Sequence, residues 1–278
     1  MPPSKVDPRN RLNDLTGKEW LRLSRSWWYQ QGLGQNHVDT AIERQHPAPF
    51  SYRDVEKLIL LFTKPSMTVL DPFCGVASTL KAAALCGRNA IGVEVSAKWA
   101  RLGRERLEKE VPKRVRDGLN LRVIRGDCLK VLPELPSQSI DFILTSPPYW
   151  GILNKCPDHK VKAERIGNGL ATRYSSSPSD LANIDTYSRF LKKMGTAIRY
   201  SRRVLKERSY MAMIVGDFRH HSEYVPYHMH IAQLAETAGF RLTGTIIMIQ
   251  NNKHLYPYGY PFAYVPNIHH QYAMVFQR

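Results

Sequence analysis

The sequence predicts a doubly wound α/β fold: a sheet of seven strands, mostly parallel, with helices on both faces and an antiparallel last pair. Three observations carry this. Apolar runs of strand length alternate with stretches of helical periodicity, the pattern of βαβ units. The run Ile140-Asp141-Phe142-Ile143-Leu144 leads into Pro147-Pro148, and proline has no N–H for a strand ladder, so the chain must leave the sheet there. Three acids, Asp71, Glu94 and Asp127, stand at the tips of three successive runs, where parallel sheets bind ligands.

Taken in order, residues 1–45 form a basic, aromatic N-terminal extension with Trp20, Trp27, Trp28 and Tyr29. Asp14–Trp20 can open a short helix. The tryptophans either pack on the domain or meet nucleic acid beside the basic residues. Residues 46–278 form the main domain. Val55, Leu58, Ile59 and Phe62 fall on one helical face. Thr68–Leu70 is the first strand, Asp71–Ala77 its turn, and Ser78 to Cys86 the helix that follows. Asn89–Glu94, Leu121–Arg125 and Ile140–Leu144 are the next three strands. Residues 151–183 carry Gly151, Gly167, Gly169 and Ser175-Ser176-Ser177-Pro178 and read as a loop-rich insertion. Asp185–Lys206 is a helix with Tyr187, Phe190, Leu191, Met194, Ile198 and Leu205 on one face. Tyr210–Val215 is the fifth strand, 229–238 a helix, and Gly244–Ile249 with Tyr272–Phe276 the closing pair.

Hydrophobic residues make up 43% of 278, enough for one large folded domain. The N-terminus has no apolar signal core and no run is long enough to cross a bilayer, so a cytoplasmic, intracellular protein is expected. Cys74, Cys86, Cys128 and Cys156 form no C-x-x-C pair, which points away from a disulfide framework and a catalytic thiol. His220, His221, His228 and His230 lack metal-ligand spacing, and no metal is expected.

Forty Lys+Arg against 24 Asp+Glu give a net charge of +16, the footprint of a polyanion-binding surface. Residues 101–125 mix acids with their arginines and read as a solvated helix face. Between 192 and 208 the only acid is Glu207, so Arg199, Arg202, Arg203 and Lys206 are expected to touch phosphates.

The chemistry concentrates in two stretches. In Asp71-Pro72-Phe73-Cys74-Gly75, between a strand and a helix, the glycine lets backbone approach a ligand. Glu94 at the second strand's tip can accept from both hydroxyls of a ribose. In Thr145-Ser146-Pro147-Pro148-Tyr149-Trp150 a hydroxyl, two stiffened carbonyls and an aromatic face leave the sheet together. Ser146 and the Pro147 carbonyl can accept both protons of an exocyclic amine, and Tyr149 can stack on a base swung from its helix. Downstream, Gln250 to Lys253 and the tyrosines of 255–266 either wall a base pocket or pack as a loop on themselves.

Asp-Pro-Phe-x-Gly followed by Thr-Ser-Pro-Pro-Tyr-Trp resembles the S-adenosylmethionine-dependent amino-methyltransferases of DNA, the N4-cytosine/N6-adenine family. The resemblance spans about 46–278 and is weakest over 151–183. It implies a Rossmann-like methyltransferase sheet and S-adenosylmethionine as cofactor, held by Asp71, Phe73, Cys74, Gly75, Glu94, Asp127 and Cys128. Asp127 takes the adenine amine in this scheme, and the region from His46 to Phe50 lies over the methionine part. Ser146, Pro147, Pro148 and Tyr149 are the implied catalytic set; Trp150, Arg199, Arg202, Arg203 and Lys253 are the implied substrate contacts. Ala77 stands where the family usually has a second glycine, and the cofactor loop precedes the base-gripping loop, the reverse of many members. Serine before Pro-Pro-Tyr goes mostly with cytosine in that family, so N4 of cytosine in DNA is expected ahead of N6 of adenine, with structured RNA the other substrate. A nucleic-acid-binding protein that kept only the fold is the reading from another class. The implied partner is nucleic acid, DNA before RNA, with no membrane and a monomer or homodimer; a restriction endonuclease counterpart stays open.

Overall fold

In the computed structural model, residues 5–33, 37, 39–48, 50–151, 166–167, 171, 174–251 and 253–278 are described. Cys156 and most of the expected 151–183 insertion lie outside them. The elements are α1 (Gly17–Leu23), β1 (Trp27–Tyr29), α2 (Thr40–Glu43), α3 (Tyr52–Phe62), β2 (Thr68–Asp71), α4 (Ser78–Leu85), β3 (Asn89–Glu94), α5 (Ala97–Glu110), α6 (Lys113–Arg116), β4 (Leu121–Arg125), α7 (Cys128–Glu134), β5 (Ile140–Thr145), α8 (Tyr187–Val204), β6 (Leu205–Val215), β7 (Phe218–His220), β8 (Glu223–Val225), α9 (Tyr227–Thr237), β9 (Arg241–Ile249) and β10 (His270–Gln277).

The main sheet runs β1-β9-β10-β6-β5-β2-β3-β4. β6, β5, β2, β3 and β4 are mutually parallel, and β10 is antiparallel to both β6 and β9. The sheet therefore has the expected antiparallel closing strand. Among the described residues it has eight strands rather than seven, because Trp27–Tyr29 adds a parallel edge to β9. The small β7–β8 hairpin stands apart. The strand order turns back between β2 and β5, which opens a crevice at their carboxyl ends.

Period-two alternation splits the buried side chains into two cores. Val69, Phe142, Leu144, Ala212 and Ile214 face one side, under α3 and α4. Leu70, Ile143, Met211, Met213 and Val215 face the other, under α7, α8 and α9. Helix starts follow local chemistry. Ser51, Ser96, Asp127 and Thr186 cap α3, α5, α7 and α8 by accepting backbone N–H bonds. α8 buries Phe190, Met194, Ala197, Ile198 and Val204 on one stripe, much as its periodicity predicts.

Described residues before 46 pack against this fold. Trp28 is buried in the first core, while Trp20 and Trp27 stay exposed. Asn13 Nδ2 donates to the Leu61 carbonyl at 2.6 Å, closing the end of α3. Glu43 of α2 pairs with Arg106 of α5 at 2.6 Å. Arg106 is fully buried, and Arg104 donates to the Val123 carbonyl, so the solvated face expected over 101–125 holds neither of these arginines.

Candidate functional site

The loops after β2, β3, β4 and β5 meet in a crevice of about 830 Å³ of empty space, open solvent at its mouth included. It brings together Phe73, Cys74, Gly75, Glu94, Asp127, Cys128, Ser146, Pro147, Pro148 and Tyr149. Gly75 has φ +50°, a conformation that favours glycine, and a Cβ there would stand 3.0 Å from His46 Nε2. Ala77, at the position of the missing second glycine, also adopts a left-handed conformation (φ 62°). Its methyl fits because residue 103 is glycine: a Cβ on Gly103 would lie 3.2 Å from it.

Glu94 is 9% exposed. One carboxylate oxygen accepts from Gly75 N at 3.0 Å and the other from Ser96 N at 2.7 Å. Burial nonetheless pushes its carboxyl up from 4.5 to about 7. Asp127 Oδ1 caps α7 by accepting from Leu129 N at 2.9 Å; the residue lines the crevice, and among the described residues its Oδ2 has no hydrogen-bond partner.

Asp71 differs from its expected role. It does not line the crevice; it is fully buried and ties the site together. Its carboxylate accepts from Thr79 Oγ1 and Thr145 Oγ1, both at 2.6 Å, and from Phe73 N at 3.0 Å. Burial raises its carboxyl to about 6. Asp71 thus clamps the cofactor-type turn to the start of the Ser146 loop.

In that loop Ser146 lines the crevice, and among the described residues its hydroxyl has no hydrogen-bond partner. Tyr149 is held by its hydroxyl, which accepts from Gly216 N at 2.7 Å and Gln271 Nε2 at 3.2 Å. Gln271 Oε1 in turn accepts from Gln30 Nε2 at 2.8 Å, so the residue that follows the edge strand β1 helps to orient the ring. Burial pushes the Tyr149 hydroxyl up to about 12, which keeps it neutral. Tyr227 Oη donates to the Pro148 carbonyl at 3.3 Å.

Trp150 stands beside the crevice, not in its lining. Its Nε1 donates to the Ile184 carbonyl at 2.7 Å and its ring packs on Tyr187 and His220. Lys253 Nζ donates to the Ile268 carbonyl at 2.8 Å. Burial raises both the Cys74 and the Cys128 thiols, which disfavours the thiolate a nucleophile needs.

The basic run has partners within the fold. Arg202 Nε donates to the Gly239 carbonyl, Lys206 pairs with Asp141 at 2.6 Å, and Arg199 reaches Thr196 of its own helix. Arg203 closes the end of α7: it donates to the carbonyls of Leu132, Pro133 and Leu135 and to Ser137 Oγ at 2.6–2.9 Å. These residues gather where α8 feeds the start of β6, the pole of the sheet opposite the crevice. A helix end otherwise lacks partners for its carbonyls, which gives Arg202 and Arg203 a structural role. Arg203→Ala is therefore expected to cost about 1–3 kcal/mol of folding stability in a denaturant titration. The salt slope of nucleic-acid binding should stay at the parent value; a slope reduced by about one unit would restore the phosphate role.

The crevice's other wall carries no local sequence signal. Trp99, Tyr174, Ser179 and Asp180 line it, with Trp99 Nε1 donating to the Tyr174 carbonyl at 2.5 Å. Asp180 sits in a serine-rich loop and caps the short 3-10 turn Leu181–Asn183. His46 packs on Trp99 with ring centroids 5.1 Å apart. Beyond Tyr149, buried Asp217 accepts from Tyr224 Oη and pairs with His228 Nδ1 at 2.7 Å; His230 Nδ1 meets Tyr187 Oη at 2.8 Å. Among the described residues no group of His, Cys, Asp and Glu is placed to hold a metal ion, and no helix is long and apolar enough to cross a membrane.

Residues 4–105 match the family model described as DNA methylase. The chain is similar to YubD of Escherichia coli strain K12 (42% identity over 64 residues, 23% of this chain and 28% of that one). It is similar to the orphan methyltransferase M.BamHII of Bacillus amyloliquefaciens (35% over 85 residues, 31% and 32%) and to the Type II methyltransferase M.BglI of Bacillus subtilis (33% over 107 residues, 38% and 28%). Each match spans about a third or less of the relative's length. Among solved structures, a SAM-dependent methyltransferase from Aquifex aeolicus aligns with a TM-score of 0.47 (15% identity, 87% of this chain and 99% of that one). One from Archaeoglobus fulgidus aligns with 0.46 (14%, 82% and 95%). With the DNA methylase match covering the glycine turn and Glu94, and with the Ser146–Tyr149 loop brought against them, the chain resembles the amino-methyltransferase family of DNA.

Proposed function

We propose that the protein transfers the methyl group of S-adenosylmethionine to the exocyclic amine of a DNA base, N4 of cytosine ahead of N6 of adenine. One observation carries the reading: a single crevice joins the Gly75 turn, Glu94 and Asp127 to Ser146, Pro147 and Tyr149. The description of the matched family and the names of the relatives point the same way.

The residues fit the cofactor. A side chain at Gly75 would close the turn against His46, so the turn leaves room for a ligand against its backbone. Glu94 would take the ribose diol and Asp127 the adenine amine, with Phe73, Cys74 and Cys128 packing around them. S-adenosylmethionine would supply an electrophilic methyl group on a sulfonium, the C–S bond breaking with its electron pair left on the neutral thioether as the N–C bond forms, and the methylated amine then losing one proton to solvent. The chain's own part is to hold the base. Ser146 Oγ and the Pro147 carbonyl accept the two amine protons, which draws the nitrogen lone pair out of conjugation and towards the methyl group. Tyr149, fixed by Gly216 and Gln271, offers a rigid face for the flipped base. Positioning and electrostatics then supply most of the rate. Cytosine is favoured over adenine on the association of serine with cytosine before Pro-Pro-Tyr. Mass spectrometry of nucleosides from DNA and RNA treated with labelled cofactor tests it: label in N4-methylcytosine of DNA supports it. Label only in adenine overturns the base, and label only in RNA overturns the substrate.

Cofactor affinity should depend on pH through Glu94. The diol needs the carboxylate as acceptor, and burial holds this carboxyl at about 7. Affinity is therefore expected to rise as pH increases towards 7 and to level off above it. Stability runs the other way. The folded value lies above the ordinary 4.5, so this group's contribution is fully present below pH 4.5 and lost as pH rises through 7. Glu94→Gln should weaken cofactor binding by about 1–3 kcal/mol and flatten the profile. Calorimetry between pH 5.5 and 8.5 with an unchanged profile in the variant would remove Glu94 from the cofactor.

A further inference from the structure

The connection from β9 to β10 exposes large rings that the fold does not use. Tyr260 is 81% exposed, Phe262 94% and Tyr264 91%, with Leu255 and Tyr258 also outside. A soluble surface rarely carries such a patch without a partner. The loop is also built. Asn267 exchanges two hydrogen bonds with the Tyr256 backbone at 2.7 and 3.0 Å. Phe262 N and Ala263 N both donate to the Gly259 carbonyl at 2.7 Å. The turn therefore holds its rings outward instead of folding them in, and neither pocket wall nor self-packed loop describes it: Tyr260, Phe262 and Tyr264 are absent from the crevice lining.

Topology places this surface. β6 is antiparallel to β10 and β10 to β9, so β9 points the same way as β5 and β6, and its carboxyl end opens at the pole of the crevice. Arg219, just after β6, donates to the Pro266 carbonyl at 3.2 Å and ties the loop there. Residues 253–269 contain no acid, while Lys253 and the overall charge of +16 favour an anionic partner. A partner that is anionic and also offers flat apolar faces is a nucleic-acid strand with bases out of their stack.

We propose that residues 255–264 form a stacking surface for unpaired DNA bases next to the crevice, holding the strand from which the target base has been drawn. This rests on the proposed DNA substrate. Each stacked ring removed should weaken single-strand binding about tenfold. The salt slope should not change, because no cation is lost.

The test uses the full chain, fluorescein-labelled oligothymidylate, a mixed-sequence duplex and labelled S-adenosylmethionine with a plasmid DNA pool. Phe262→Ala with Tyr264→Ala should keep the parent's melting temperature, since both rings are exposed. It should lose about a hundredfold in oligothymidylate affinity at unchanged salt slope, about tenfold for each of the two rings, and Phe262→Trp should retain the affinity. Equal affinity in the double variant overturns the proposal, as does a parent that does not bind oligothymidylate. A variant that loses only self-association in sedimentation velocity also overturns it and makes the patch a protein interface. Methyl transfer by the parent scores the DNA reading separately. Transfer with unchanged variant binding defeats the stacking surface alone, whereas binding loss without any transfer to DNA defeats the enzyme reading alone.

Discussion

Ser146→Ala is expected to lower turnover by about 10²- to 10³-fold, the cost of removing one positioned hydrogen-bonding group that acts on developing charge. Cofactor affinity should stay within about twofold, because Glu94 and Asp127, the acceptors proposed for the ribose and the adenine, lie on β3 and after β4 and are untouched. The split follows from the proposed chemistry. An amine conjugated to its ring becomes a nucleophile only as both N–H bonds are drawn towards acceptors, and Ser146 Oγ is one of two. The Pro147 carbonyl remains in the variant, so some activity should survive. The loss should fall mainly on kcat, since the acceptor matters most as the nitrogen becomes pyramidal. Single-turnover measurements with labelled cofactor check this. A variant with parental turnover would mean that the carbonyl suffices and that Ser146 is only part of the loop.

The site was legible to the extent that its chemistry is local. Gly75, Glu94, Asp127 and Ser146–Tyr149 each end a strand, and in a parallel sheet all such ends share one pole, so reading four strands and their tips placed them together. Asp71 was misread because its partners, Thr79 and Thr145, lie 8 and 74 residues away. A turn aspartate that faces a ligand and one that clamps two loops have the same sequence signature. The helix-end role of Arg203 was illegible for the same reason: its carbonyl acceptors are 68–71 residues upstream, and a row of basic residues does not reveal whether it meets phosphate or a helix end. β1 was missed because three residues with one buried side chain carry no alternation to detect; only its pairing with β9 makes them a strand. Trp99, Tyr174 and Asp180 belong to a wall assembled from α5 and the serine-rich segment, which no local pattern joins.

Arg106→Met is expected to cost about 3–5 kcal/mol of folding stability, the usual consequence of breaking a buried ion pair from one side. Arg106 is fully buried on α5. It pairs with Glu43 at 2.6 Å and Glu110 at 2.9 Å, and it donates to Ser78 Oγ at 2.8 Å and the Val76 carbonyl at 3.3 Å. Lys81, also buried, joins the same cluster through Glu110 at 2.7 Å and Asp39 at 2.6 Å. The cluster thus fastens the N-terminal α2 to the helix that follows the Gly75 turn. Burial raises the Glu43 carboxyl although Arg106 opposes it, so without Arg106 a desolvated carboxylate loses the guanidinium that charges and bonds it. Glu110 keeps Lys81, which limits the damage on that side. A cost of this size lowers the melting temperature by roughly 10 °C in a domain of this length. Removing Glu43 as well tests the cause. Arg106→Met with Glu43→Leu leaves no orphaned charge at that contact and should recover at least half of the loss. If the double variant is as unstable as Arg106→Met alone, the stability lies in the hydrogen bonds to Val76 and Ser78 that shape the turn, and the Glu43 pair contributes little.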